Sequence, residues 1–190
     1  MTTRRADGAT SVRRARVTVL LVGEGHAEVG FLRHLHGLLV TRRGGVAVTI
    51  KNARGKGAAH VVNFAIRQSR NAQYDRKLAL LDTDTDWSPK VQALARRHGV
   101  DVVPCAPCLE ALLLRLCVQP VTGKSTAQLK RAFKQHAGCD ASDERLDWTA
   151  LWPVAALERL RADVTELDTL MRAFAAKAQI RVREAVDSKR

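Results

Sequence analysis

Leu78-Ala79-Leu80-Leu81-Asp82-Thr83-Asp84-Thr85-Asp86 is the stretch on which the fold reading turns. A short aliphatic run that must be buried ends in three alternating carboxylates, the pattern of a central parallel strand running into a polar turn. In an extended backbone, side chains at i, i+2 and i+4 point the same way, so Asp82, Asp84 and Asp86 converge if the strand continues that far. Converging carboxylates repel one another, and a hard divalent cation is the usual compensation. The competing reading is a plain strand-to-helix loop, with Asp86 or Ser88 capping a helix that has Pro89 in its first turn.

Upstream, Arg16-Val-Thr-Val-Leu-Leu-Val22 is a continuous β-branched and aliphatic run, followed by Gly23-Glu24-Gly25-His26-Ala27-Glu28. A helical pattern through Phe31, Leu32, Leu35, Leu38 and Leu39 comes next. In open α/β sheets, sites form beyond the carboxyl ends of the strands, where the Glu24 turn and the Asp82 turn meet if their strands are parallel neighbours. The flanking glycines permit a tight turn and close approach of a phosphate; they are equally ordinary turn punctuation. Glu28, four residues after Glu24, either shares its helix face or is a favourable first-turn charge.

The alternation continues as strands at Val17 to Val22, Val46 to Lys51, Lys77 to Leu81 and Val100 to Val103. Helices are expected at His26 to Thr41, Ala58 to Ala72, Pro89 to His98 and Cys108 to Cys117. That order predicts an α/β fold, a doubly wound and mainly parallel sheet with helices on both faces. Residues 121 to 190 read as a helical C-terminal extension on the same domain: Thr126 to His136, then one long or kinked helix from Val154 to about Val186. The latter carries Leu157, Leu160, Val164, Leu167, Leu170, Met171 and Phe174 at helical spacing. It packs across the sheet domain or pairs with a second copy in a homo-oligomer. Residues 1 to 15 are basic and aperiodic, a flexible arm.

Val22-Gly23-Glu24-Gly25-His26-Ala27-Glu28-Val29-Gly30-Phe31-Leu32 resembles the opening motif of Toprim-type proteins, and Leu81-Asp82-Thr83-Asp84 resembles their Asp-x-Asp motif. Pro107-Cys108-Leu109-Glu110-Ala111-Leu112-Leu113-Leu114-Arg115-Leu116 is similar to the Phe-Glu-x-Trp-Leu-Leu-x-His-Phe signature of RloB-like proteins, a Toprim-related group found with bacterial restriction and phage-defence loci. Leu109 stands for the usual Phe, Ala111 for the aromatic and Arg115 for the His. The three motifs keep their order over roughly residues 16 to 135. The resemblance implies a Toprim-like domain over residues 16 to 120 that runs metal-dependent phosphodiester chemistry in anti-phage defence, with or without a defence-system partner protein. It assigns Glu24 as the acid-base or metal-contacting carboxylate, Asp82 and Asp84 as metal ligands, and Glu110 as a further acidic group of the pocket; Asp86 extends the set. Mg²⁺ or Mn²⁺ suits such donors, being held by one or two carboxylates, water and substrate phosphate.

The formal net charge is +13, with 32 Lys and Arg against 19 Asp and Glu. A basic chain gathers nucleic acid through counterion release. The expected contacts are Lys51, Arg54, Lys56, Arg42 and Arg43. The loop Lys51-Asn52-Ala53-Arg54-Gly55-Lys56-Gly57 either cradles a phosphate at the following helix N-terminus or is a plain basic loop. His26, inside the acidic turn, is a candidate proton shuttle or phosphate contact. Gly123-Lys124-Ser125 is not a P-loop, because Val118 occupies the position of the required glycine.

Cys105 and Cys108 form a C-x-x-C, but Cys117 and Cys139 stand far apart, so no zinc is expected. Reduced, buried thiols are the expectation. The apolar run at Val17 is too short for a signal peptide and no stretch reaches the length of a membrane helix, which predicts a cytoplasmic protein with no membrane partner. The alternative to a nuclease is a noncatalytic nucleic-acid-binding or complex-assembly module.

Overall fold

The computed structural model describes residues 17–41 and 45–175. The expected basic arm, Arg42, Arg43 and the end of the C-terminal helix lie outside the described residues. Four strands, β1 (Val17–Gly23), β2 (Val46–Asn52), β3 (Arg76–Asp82) and β4 (Asp101–Cys105), form one all-parallel sheet in the order β2-β1-β3-β4. The chain moves one way from β1 to β2, then crosses back to β3, so the topological switch point lies between β1 and β3. Leu21 pairs with Leu78 and Gly23 with Leu80, which sets the ends of these two central strands side by side.

Period-two alternation divides the sheet into two apolar faces. Leu20, Val22, Ala79 and Leu81 pack with Val61, Val62 and Ala65 of α2 (Ala58–Gln68) and with Val91 and Ala95 of α3 (Pro89–Arg97). Val17, Val19, Leu21, Leu78, Leu80, Val103 and Cys105 face α1 (His26–Leu39), α4 (Leu109–Leu116) and α5 (Thr126–Ala137). The same core includes Leu157 of α7 (Val154–Leu160) and Leu167 and Leu170 of α8 (Thr165–Ala173). The described sequence after residue 120, up to residue 175, is therefore built into the core under the sheet. Arg76, at the start of β3, donates to the carbonyls of Arg172, Ala173 and Ala175 at 2.7–2.9 Å and so closes the C-terminus of α8.

Local chemistry sets the helix limits. Ser88 accepts from the Val91 amide and Pro89 occupies the first turn of α3; Ser125 and Gln128 form a reciprocal capping box on α5, and Gly138 ends it in the left-handed region. The one long or kinked helix expected from Val154 is divided in two. α7 stops at Leu160, Val164 is extended at φ −121° and buried, and α8 starts at Thr165. Asp163 and the β-branched pair Val164-Thr165 are poor helix formers, and Arg161 bridges Glu158 to Asp168 across the break. The apolar spacing survives because both short helices press on the same core.

A further short helix, α6 (Trp148–Leu151), brings an aromatic group. Trp152, fully buried, stacks near Phe133 at 6.3 Å and meets Phe31 edge-on, while Trp148 lies 5.4 Å from Trp152 between ring centroids. Replacing Trp152 with Ala should lower the stability to urea by about 3–5 kcal/mol, as loss of a buried aromatic does elsewhere. Val118 carries the opposite expectation. It follows the C-cap of α4, is 78% exposed and has φ +56°, a conformation that favours glycine and strains a β-branched side chain. Val118→Gly should stabilise the fold by about 1 kcal/mol in the same titration; destabilisation would contradict that strain.

Candidate active site

Gly23 ends β1 where a Cβ would lie 2.8 Å from Cβ of Glu28 and 2.9 Å from the Val29 amide, so only glycine lets α1 start this close to the strand. Glu24 then continues the central ladder, its amide donating to the Leu80 carbonyl at 3.1 Å, and its own carbonyl accepts from Gly55 at 2.8 Å. The Glu24 carboxylate accepts from the amide of Asp82 at 3.1 Å. Asp82, the last residue of β3, accepts from the Leu109 amide at the start of α4 at 2.8 Å. Glu28 reaches back to the Gly25 amide at 2.7 Å, and Glu110 sits in the first turn of α4.

These elements place Glu24, Glu28, Asp82 and Glu110 in one another's field at the switch point. Burial pushes the Asp82 carboxyl up to about 8, with Glu28 and Glu24 adding repulsion and the Leu109 amide opposing it. Burial likewise raises Glu28, despite amides that favour its charged form. Lys130 of α5 faces the cluster. Partial burial disfavours its charge, but Glu110, then Asp82, Cys108 and Asp84, raise its pKa on balance.

The three aspartates do not converge. β3 ends at Asp82, so the alternation stops there, and each carboxylate goes to a different helix N-terminus. Asp82 takes that of α4; Asp84 accepts from the Thr126 hydroxyl at the start of α5, at 3.1 Å, and from Thr85 at 3.0 Å. Asp86 caps α2, accepting from Ala58 at 2.5 Å and Ala59 at 3.2 Å. The α2 N-terminus, expected to be open to phosphate, thus holds the chain's own carboxylate. Gly57 makes room for it: its φ is +81°, and a Cβ there would lie 2.5 Å from Asp86 Oδ1.

Of the basic residues expected to touch nucleic acid, Lys51, Arg54 and Lys56 are exposed along the end of β2 and the loop after it. His26 is exposed at the start of α1 and lines a cavity beside that helix. Cys105, Cys108 and Cys139 are buried and Cys117 partly so; burial raises the Cys105 thiol and takes Cys108 to about 12. Glu28 and Lys130 were not assigned from sequence as members of the site. The i+4 spacing from Glu24 was the available signal for Glu28, whereas Lys130 joins through tertiary packing alone.

Among the described residues no group of three Asp, Glu, His or Cys side chains is arranged to hold a metal ion. The donor chemistry nevertheless suits a hard divalent cation bound by one or two carboxylates and water: all donors are oxygen, and Asp82 is buried beside Glu28 and Glu24. Among the described residues no helix is long and apolar enough to cross a membrane. Comparisons with protein-family models, with curated proteins and with solved structures give no match.

Two outcomes test this geometry. The folded Asp82 binds its proton more tightly than an unfolded aspartate, so its contribution to stability is complete below the ordinary pKa of 3.8 and is lost as pH rises through about 8. Asp82→Asn, melted in EDTA, should match wild type near about pH 3 and exceed it by on the order of 1–3 kcal/mol near about pH 8.5, after allowance for partial solvent screening. An offset that does not change with pH would refute the shift. Asp86→Ala should cost about 1–2 kcal/mol by uncapping α2. Its Mn²⁺ affinity by calorimetry should equal that of wild type, whereas a large loss would make Asp86 a ligand.

Proposed function

We propose that the chain is a Toprim-like, RloB-related protein that hydrolyses nucleic-acid phosphodiesters with Mg²⁺ or Mn²⁺. The observation that carries this reading is the group of carboxylates Glu24, Glu28, Asp82 and Glu110 gathered at the sheet's switch point, with Asp82 raised to about 8. Glu24 and Asp82 are the ligands that fit best. They come from the two central strand ends, and Gly23 beside Glu24 lets the start of α1 approach that turn closely. A bound cation would supply charge stabilisation at phosphorus and a more acidic water.

The chain's own groups supply the rest. The Leu109 amide orients Asp82, and the Gly25 amide orients Glu28. Lys130 offers a positive charge beside the carboxylates, suited to a phosphate oxygen. The basic excess, with Lys51, Arg54 and Lys56 exposed near the turn, supports a polyanionic substrate. A role in anti-phage defence, alone or with a partner protein, follows from the RloB resemblance.

A specific observation favours the second reading, a noncatalytic nucleic-acid-binding or assembly module. Carboxylate oxygens of Glu24, Glu28 and Asp82 already accept backbone amides, as structural carboxylates do. Incubation of labelled single-stranded DNA, double-stranded DNA and tRNA with Mg²⁺ or Mn²⁺ separates the two. Hydrolysis that disappears in EDTA and falls by about a hundredfold or more in Glu24→Gln and in Asp82→Asn supports the nuclease. Nucleic-acid binding with neither cleavage nor calorimetric Mn²⁺ binding supports the module.

A further inference from the structure

A cavity of about 580 Å³ opens beside α1, lined by His26, Gly30, Arg33, Asn52, Arg54 and Trp148 among others. Its size lies within the range of about 300–1,000 Å³ typical of small-molecule sites. Trp148 is a prepared aromatic wall. Phe31 at 5.8 Å, Trp152 at 5.4 Å and a stacked His34 at 6.2 Å hold the ring, which remains partly exposed on its cavity side. Gly30 lets the ring lie close against α1, since a Cβ there would approach Trp148 Cζ2 to 3.0 Å.

Two guanidinium groups enter the same space. Arg33 and Arg54 are exposed, and among the described residues neither side chain has an ion pair or hydrogen bond. Arg54 is held at φ +65° by its own amide donating to Asn52 Oδ1 at 2.7 Å and by the next amide, Gly55, donating to the Glu24 carbonyl at 2.8 Å. A non-glycine residue kept in that region costs free energy, and such positions concentrate where a side chain has a task. Asp143 and Glu144 are the carboxylates of the lining. Both oxygens of Asp143 are occupied by Arg145, at 2.7–3.0 Å, and Glu144 is exposed. An aromatic ring and free guanidinium groups lining one cavity are the chemistry that receives a base and a phosphate.

We propose that this cavity seats one nucleotide of a nucleic-acid strand, its phosphate between Arg33 and Arg54 and its base against Trp148. The proposal rests on the phosphodiester reading above, because it supplies the substrate neighbour of the acidic cluster. Cavity and cluster share one turn: His26 follows Glu24 by two residues, and the Arg54 loop is bonded to the Glu24 carbonyl. A strand is favoured over a free nucleotide because Lys51 and Lys56, exposed and unpaired among the described residues, extend the positive surface along the same segment.

The test is equilibrium binding in EDTA, where cleavage plays no part, by fluorescence anisotropy of a labelled single-stranded octamer. Arg33→Gln/Arg54→Gln should weaken binding by about tenfold or more relative to Arg96→Gln/Arg97→Gln, which removes the same charge from α3. An abasic octamer should bind wild type between about fivefold and a hundredfold more weakly than the base-bearing one, and Trp148→Leu should erase that difference. Should Trp148→Leu fail to fold, the abasic comparison on wild type decides the stacking. Equal affinities of the two double variants, or of the two octamers, would overturn the proposal, as would AMP competing as tightly as the strand. Loss of metal-dependent cleavage alone would remove the phosphodiester reading while these binding differences stand.

Discussion

Asp82 joins three elements through two hydrogen bonds. Its amide donates to the Glu24 carboxylate beyond β1, and its carboxylate accepts from the first turn of α4. The first bond places two acidic groups next to each other at the centre of the sheet; the second fixes α4, and with it Glu110, against them. Burial raises Asp82 most, repulsion from Glu28 and Glu24 adds to it and the Leu109 amide opposes it, which leaves the carboxyl at about 8. An incoming cation would relieve the repulsion among these carboxylates while the amides keep them oriented.

The turn after Asp82 shows how one acidic sequence divides its labour. Asp84, read from sequence as a ligand beside Asp82, bonds the Thr126 hydroxyl at the start of α5, and Asp86, read as a further ligand, caps α2. Each meets exposed amides or a hydroxyl at a helix start, where negative charge is favoured. The result is a hub: α4, α5 and α2, from both faces of the sheet, are positioned by a turn of five residues. Moving any of these helices moves the turn on which Asp82 sits.

The order of β1 to β4 and α1 to α4 was legible because each strand is a buried aliphatic run and each helix carries a period near 3.6. The Glu24 and Asp82 turns were placed together by topology, since parallel neighbours put their carboxyl ends at one edge. The divergence of Asp84 and Asp86 was not legible, because it depends on where β3 stops and on which helix ends arrive nearby. The break before Thr165 was hidden by an apolar spacing that two short helices satisfy as well as one long one. Trp148 and Lys130 belong to the same class: their partners are more than ninety residues away in some cases, as with Trp148 and Phe31, and spacing along the chain carries no trace of that.

The two faces of the sheet are finished at different points along the chain. Among the described residues, the hydrophobic cluster around Leu20, Val22, Ala79 and Leu81 is complete by Val102. The other face waits for Leu129, Phe133, Trp152, Leu157, Leu167 and Leu170, and its last helix is closed by Arg76 from the middle of the sequence. On the ribosome, then, one side of the sheet is covered early, while the face of Val19, Leu21 and Leu80 is only partly covered, by α1, α4 and α5, until α7 and α8 have emerged. That interval is a period of exposed aliphatic surface, when the growing polypeptide is most open to chaperones and to self-association.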